Sequence, residues 1–144
     1  MALGPLHLTD KSAWEQARYD KRARERLHEL REARQLAVCV VSMAELLYSA
    51  RNADDLARLR LDLSSLPYLH MTPAAEQQLV DVMAALALRG QHRTPISDLM
   101  LAAIARAHSA VVLHYDDEYA RIAEVTGHAH EWIIPRGSGH GGRS

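Results

Sequence analysis

The chain has 144 residues, of which 48% are hydrophobic and 24% are charged, and its formal net charge is −1. This length predicts one domain, and the composition excludes a chain that is disordered throughout. The single cysteine excludes a disulfide framework and a zinc site built from cysteines. Because the apolar runs are far shorter than the roughly 18–20 residues of a membrane span, and no secretory signal is visible, we expect a cytoplasmic protein without membrane contact.

The first third of the chain alternates short apolar segments with helical patterns. Residues 5–9 suit a short strand that leads into Asp10. From 12 to about 34 there is no glycine or proline, and apolar residues recur at helical spacing, which predicts a helix in one piece or broken once. The valine-rich run 36–41 is typical of a strand buried on both faces. Ser42 is predicted to open the next helix, with Glu45 completing a capping box.

Two further helix starts lie in the middle of the chain. A helical pattern over 53–66 precedes a predicted third strand at 67–71. Thr72-Pro73 and Thr94-Pro95 each combine a capping hydroxyl with a first-turn proline, which is typical of a helix N-terminus. The two helices that they open are predicted to run to about residues 89 and 108.

The last third adds two predicted strands, at 110–113 and 130–134, separated by a helix that ends at Gly127. The tail 136–144 holds four of the seven glycines. We predict that this tail is flexible and that residues 1–135 form the folded domain.

Strands that alternate with helices in this way predict a mostly parallel sheet covered on both faces. The expected fold class is therefore α/β, a three-layer α/β/α domain with about five short strands. In such sheets the functional crevice lies beyond the carboxyl ends of the strands.

Acidic residues follow the predicted strands at that edge. Asp10 follows the first strand, Glu45 the second, and Asp116 and Glu118 the fourth, while Asp98 lies in the first turn of the helix over 95–108. Clustered carboxylates repel one another unless a cation lies among them. Their hard oxygens suit Mg²⁺ or Mn²⁺, and such ions activate water against phosphodiesters.

Each acid also has an explanation without chemistry. Glu45 completes the predicted capping box, and Asp98 and Glu118 complement helix dipoles. Asp10 suits a turn. Spacing alone therefore leaves a catalytic cluster and a set of helix caps both open.

Four segments of the chain, in order, resemble the signature segments of PIN domains, and most closely those of VapC-type toxins of bacterial toxin–antitoxin pairs. They are residues 8–14 (LTDKSAW), 41–51 (VSMAELLYSAR), 96–103 (ISDLMLAA) and 112–122 (VLHYDDEYARI). The resemblance covers roughly residues 5–135.

This resemblance implies an α/β/α fold and an endoribonuclease that depends on Mg²⁺ or Mn²⁺ and cleaves structured RNA such as tRNA or a ribosomal RNA loop. It also implies a homodimer, and a VapB-like antitoxin whose C-terminal segment covers the active site. The positions that match the family's catalytic, metal-binding acids are Asp10, Glu45, Asp98 and Asp116, with Ser12 and Glu118 as supporting residues.

The chain departs from the family pattern at two places. Lys11 replaces the commoner threonine or serine, and its ammonium can point away, contact a phosphate or partly neutralise the acids. Glu118-Tyr119 replaces the commoner Asp-Phe. Lys11 keeps open an alternative function, a catalytically inert PIN-like module that binds RNA or a partner peptide. A phosphotransfer domain has no support, because an Asp-x-Asp is absent at residue 10.

Basic and aromatic residues outside the acids have two interpretations each. The arginine-rich stretch 18–34 either contacts the RNA backbone or forms a solvated helix face. Tyr19 and Tyr48 are candidates for stacking on bases, whereas helical spacing favours Trp14 in the core. The nine histidines lack the helical i, i+4 pair of a zinc hydrolase, which favours core or surface positions.

Overall fold

The computed structural model describes residues 4–140, and in this range it forms a four-stranded sheet in which every strand is parallel to its neighbours. The spatial order is β2-β1-β3-β4. The strands are β1 (His7–Thr9), β2 (Leu36–Ala37), β3 (Val111–His114) and β4 (His130–Trp132). His7 is in register with Leu36 on one side and Val111 on the other, so β1 is central and all carboxyl ends share one edge.

Seven helices connect and cover these strands within the described residues. They are α1 (Lys11–Ala17), α2 (Lys21–Glu32), α3 (Val40–Tyr48), α4 (Ala53–Leu63), α5 (Pro73–Ala87), α6 (Ile96–Ala107) and α7 (Asp117–Thr126). Of the two possibilities left open for the first helical stretch, the structure has the broken one, because the Asp20 side chain accepts a hydrogen bond from Arg22 N and caps a new helix there. No helix within residues 4–140 has the length and apolar character needed to cross a bilayer.

The two faces of the sheet are buried by different helices. Successive strand residues point to opposite faces, so Val112 packs with Leu86 of α5 and Leu101 of α6, whereas Leu113 packs with Leu30 of α2. Each face therefore has its own apolar core. The predicted three-layer α/β/α architecture is confirmed.

The predicted third strand at 67–71 is wrong, and the second strand is shorter than predicted. Val38 and Tyr68 form only an isolated parallel bridge, in which Val38 N donates to Pro67 O at 3.0 Å. The run 36–41 does not continue as a strand, because α3 already begins at Val40. The sheet accordingly has four strands instead of about five.

The helix start at Ser42 is also wrong. Ser42 is the third residue of α3, and its hydroxyl accepts from Cys39 N at 3.0 Å and donates to Cys39 O at 3.2 Å. Glu45 therefore lies beyond the first turn and completes no capping box. The buried backbone groups of Cys39 need hydrogen-bond partners, and the Ser42 side chain supplies them.

The other predicted helix ends have mixed outcomes. Thr72 accepts from Ala75 N at 3.2 Å and caps α5, as predicted. Thr94 does not cap α6, because its hydroxyl donates to Gln91 O at 2.9 Å. Gly127 follows α7 in the left-handed conformation with φ 69°, where glycine is favoured.

The predicted tail is described in part. Residues 136–140 make contacts with α1, α2 and α7. Residues 141–144 lie outside the described residues, as do 1–3. The domain boundary at 135 and the flexibility of the tail stay predictions.

Truncation of a core leucine tests the assignment of α6 to the buried core. Leu101→Ala, in the fully buried face of α6, is expected to lower the free energy of unfolding by about 2–5 kcal/mol, since it leaves a cavity. Urea denaturation measures this. Leu61→Ala, on the exposed side of α4, is the matched control and should change the value by less than about 0.5 kcal/mol. Equal losses in both variants would contradict this core assignment.

Candidate active site

The site lies where the chain changes direction across the sheet. From β1 the chain passes to β2 on one side, whereas β3 lies on the other side of β1. In parallel sheets this topological switch opens a crevice at the carboxyl ends of the two strands. Asp10 directly follows β1, and its backbone N donates to Leu113 O of β3 at 2.9 Å. Asp116 follows β3 by two residues, so the topology brings both acids to one crevice.

A cavity of about 510 Å³ occupies this crevice. The four predicted catalytic acids all line it, together with residues of α1 and of the chain's C-terminal end. The lining residues are Asp10, Lys11, Ser12, Glu15, Gln16, Glu45, Asp98, Tyr115, Asp116 and His140. A larger cavity of about 650 Å³ lies beside Leu36, at the amino end of β2, and is lined by Arg31 and Arg34 among others. This larger cavity does not lie at the carboxyl edge of the sheet, where the four acids are found.

Asp10 is held by two donors. Its Oδ2 accepts from Ser12 N at 3.0 Å, which caps α1, and its Oδ1 accepts from the Tyr119 hydroxyl at 2.7 Å. The Ser12 hydroxyl in turn accepts from Tyr115 N at 2.8 Å and joins α1 to the segment after β3. Asp10 is almost fully buried, so these contacts replace the water that a carboxylate requires.

Tyr119 also reaches the second buried acid. Its hydroxyl oxygen lies 3.2 Å from Asp98 Oδ1, and the tyrosine itself is fully buried. A phenol has a single proton, and the shorter distance favours donation to Asp10. Burial, followed by the charges of Asp10 and Asp116, raises the pKa of Asp98 to about 7. The Tyr119 hydroxyl therefore lies between the two buried acids, Asp10 and Asp98.

Glu45 completes the acidic wall from α3. Its Oε1 is buried and has no hydrogen-bond partner among residues 4–140, and its Oε2 lies 3.9 Å from Lys11 Nζ. Burial and the charge of Asp10 raise the pKa of Glu45, and the ammonium of Lys11 opposes them. Three roles are open for Lys11: its ammonium can point away, contact a phosphate or partly neutralise the acids. In the structure the ammonium lies beside the acids.

Asp116 is positioned through its backbone and its side chain. Its Oδ1 accepts from Glu118 N at 2.9 Å and caps α7, and its N donates to His114 Nδ1 at 3.1 Å. Because Nδ1 accepts, we assign the His114 proton to Nε2, which donates to His130 Nδ1 at 2.8 Å. Burial lowers the pKa of His114 to about 3, so the ring is neutral.

Glu118 is not brought into the cavity. Its Oε1 pairs with Arg121 at 2.7 Å, and its Oε2 is buried without a hydrogen-bond partner among residues 4–140. Glu118 contacts the acids only through its backbone N, which donates to Asp116, whereas Ser12 lies in the cavity wall.

The donor set fits a hard divalent cation. The facing ligands are carboxylate oxygens, one of them unpartnered, and burial, followed by repulsion from neighbouring acids, raises the pKa of Asp98. As placed, no three carboxylate, imidazole or thiol groups within residues 4–140 converge on one point closely enough to hold an ion. The fit therefore rests on the chemistry of the donors.

Sequence reasoning missed the parts of the site that depend on tertiary contacts. Tyr119 was noted as a departure from the family pattern without a role, although it follows Asp116 by three residues on the same turn. Gln16 and Tyr115 also line the cavity. His140 is contributed by the predicted flexible tail, in which no sequence signal indicates a site.

Comparison with known proteins gives consistent matches. The PIN domain family matches residues 8–125. Ribonuclease VapC18 of Mycobacterium tuberculosis is 36% identical over 132 residues, covering 90% of this chain and 96% of that protein. Ribonuclease VapC51 of the same organism is 37% identical over 109 residues, covering 76% and 80%.

Solved structures share the fold. DNA-bound VapBC from Salmonella typhimurium superposes with a TM-score of 0.74 at 21% identity, covering 91% of this chain and 100% of that chain. VapBC-5 from Mycobacterium tuberculosis, a member of the VapBC family of toxin–antitoxin systems, has a TM-score of 0.59 at 25% identity, covering 89% and 97%.

Removal of the Tyr119 hydroxyl tests its hold on the buried acids. Tyr119→Phe keeps the ring but leaves Asp10 Oδ1 without its donor. We expect the free energy of unfolding to fall by about 1–3 kcal/mol in EDTA at pH 7, the cost of an unsatisfied buried charged group. Tyr48→Phe, on an exposed tyrosine, is the control. Equal stability of Tyr119→Phe and the wild type in urea denaturation would refute this role.

The neutral state of His114 predicts a pH dependence of stability. Its pKa is about 3 in the folded chain and about 6.5 when unfolded, so between these values the unfolded chain binds more protons. Stability from this group is complete above pH 6.5 and falls by up to about 1.4 kcal/mol per pH unit on acidification. Urea denaturation from pH 7 to 4 should show a shallower slope for His114→Asn. Parallel slopes would contradict the prediction.

Proposed function

The chain belongs to the PIN-domain family and, within it, to the VapC ribonucleases, and on that premise we propose that it is a metal-dependent endoribonuclease acting as the toxin of a toxin–antitoxin pair. The observation that carries the proposal is the cavity at the carboxyl edge of the sheet, lined by Asp10, Glu45, Asp98 and Asp116. Nothing in a purely structural role requires four acids from four elements to face one space.

The proposed cofactor is Mg²⁺ or Mn²⁺, held by these four acids. The support is electrostatic: burial, followed by the charges of neighbouring acids, raises the pKa of Asp98 and Glu45, and a divalent cation removes the cost of placing these charges together. When bound, such an ion supplies Lewis acidity, activates water and neutralises charge that develops on a phosphodiester.

The chain's own residues prepare the acids for this work. The Ser12 backbone N and the Tyr119 hydroxyl fix the orientation of the Asp10 carboxylate. The His114 ring holds the Asp116 backbone at the end of β3. Lys11, half exposed at the cavity wall, offers an ammonium to a substrate phosphate. We assign no covalent intermediate to any side chain.

The proposed substrate is structured RNA, either tRNA or a ribosomal RNA loop, and the location that follows is the cytoplasm. The proposed partners are a VapB-like antitoxin, whose C-terminal segment covers the cavity, and a second copy of the chain in a homodimer. The support is the membership in the VapC group and the likeness to a solved member of a toxin–antitoxin family.

One observation favours a second candidate, a module that binds RNA or a peptide without catalysis. The Lys11 ammonium lies 3.9 Å from Glu45 and already supplies part of the positive charge that the acids need. Calorimetric titration with Mg²⁺ separates the two functions, since absence of binding at millimolar metal would favour the inert module.

The central test is cleavage of total tRNA and ribosomal RNA by the purified protein. Discrete fragments are expected with Mg²⁺ or Mn²⁺ and none with EDTA. Asp98→Asn removes one ligand charge with little change of shape, so we expect cleavage to fall below detection while the protein stays folded.

Asp81→Asn is the matched control, because Asp81 is exposed on α5 and outside the cavity; its cleavage should equal that of the wild type. Wild-type activity in Asp98→Asn would remove the proposed mechanism. Fragments that persist in EDTA would remove the metal.

A further inference from the structure

The residues Arg136–His140, here called the terminal segment, lie against the acidic cavity. Gln16 Nε2 donates to His140 O at 2.8 Å, and His140 N donates to Gln16 Oε1 at 2.8 Å. Gly139 N donates to the Tyr115 hydroxyl at 2.7 Å. Gln16 and Tyr115 are both buried, so the segment supplies partners that these polar groups would otherwise lack.

Gly139 allows a close approach of the segment. A Cβ atom on Gly139 would lie 2.6 Å from Gln16 Oε1 and 2.7 Å from Tyr115 Cζ, so a side chain there would require the Gln16 and Tyr115 side chains to shift. Further along, Arg136 pairs with Asp117 at 2.7 Å. The segment is therefore seated at several points and ends at the cavity in a defined place.

This seating puts an aromatic pair at the cavity wall. The His140 ring stacks on the Tyr19 ring with centroids 3.9 Å apart and planes 23° apart. Tyr19 is 59% exposed, and His140 is exposed while also lining the cavity with Asp10 and Asp98. The backbone of His140 is already anchored by Gln16, so the rings are not required to hold the segment.

We propose that Tyr19 and His140 form a stacking subsite for an RNA base next to the phosphate that is cleaved. This proposal rests on the ribonuclease function proposed above and names how its substrate is held. Unpaired RNA bases stack on exposed aromatic side chains, and the terminal segment places one such surface beside the acids. The segment is thus part of the substrate site.

The test begins with an RNA oligonucleotide that spans the site cleaved by the wild-type protein. His140→Ala removes the ring and keeps the backbone contacts with Gln16. We expect kcat/KM to fall by about 5- to 150-fold, the range of a lost base–aromatic stack, through KM with kcat nearly unchanged. Tyr19→Ala and Gly139→Ala should behave alike, and His140→Phe, which keeps an aromatic ring, should restore KM.

The control is His70→Ala. His70 is exposed and its ring also packs against a tyrosine, Tyr68, at 4.7 Å, but it does not line the cavity. Its KM should equal that of the wild type.

A substrate series distinguishes stacking from a structural role. In a series of oligonucleotides that each carry one abasic position, we expect one on which the kcat/KM of the wild-type protein falls by the same factor as the His140→Ala substitution causes. On that oligonucleotide, His140→Ala should cause no further fall in kcat/KM. If His140→Ala loses the same factor on every abasic oligonucleotide, or has the wild-type KM throughout, the subsite is refuted.

A binding measurement keeps the inference separate from the proposed function. With Asp98→Asn protein, which leaves RNA intact, the fluorescence of a 2-aminopurine base beside the cleavage position should be quenched on binding, and His140→Ala should abolish the quenching. If the wild-type protein cleaves no RNA, the proposed function fails, and the same titration over single-stranded RNA still decides the subsite. Absence of quenching in every RNA would overturn it and favour a protein segment on this surface.

Discussion

The crowding of like charges at the carboxyl ends of β1 and β3 is the constraint around which this molecule is arranged. Asp10 and Asp98 are nearly buried, Glu45 and Asp116 lie within their field, and the pKa of Asp98 rises to about 7 in consequence. Water cannot solvate these groups well, so the protein does it with the Tyr119 hydroxyl, the Ser12 backbone and the first turns of two helices. The fold therefore keeps these negative charges close together at a cost in free energy, and a divalent cation would offset that cost.

The structural and the catalytic explanations of these acids turn out to be compatible. Asp10 and Asp116 each cap a helix, and each also faces the cavity. The caps bring the positive ends of α1 and α7 to the acids. Glu45 is the exception, because α3 begins at Val40 and leaves this carboxylate outside the first turn. Its position is therefore explained by the cavity alone.

Local signals in the sequence predict much of the fold, whereas the remainder depends on tertiary contacts. The strands at 7–9 and 111–114, the Thr72 cap and the Gly127 helix end could be predicted because each depends on neighbours in the chain. The start of α3 could not be predicted, because the buried Cys39 N donates its hydrogen bond to the Ser42 hydroxyl instead of to a neighbouring strand. The four acids could be named from their positions at predicted strand ends and helix starts together with the resemblance to PIN domains, whereas the roles of Tyr119 and His140 depend on contacts between distant segments.

The pairing of Gln16 with His140 joins residues that are 124 positions apart. Every residue from Gln16 to His140 must therefore be synthesised before this wall of the cavity can form. A nascent chain on the ribosome has its first helix early and lacks the segment that completes the cavity wall until residue 140 has left the exit tunnel.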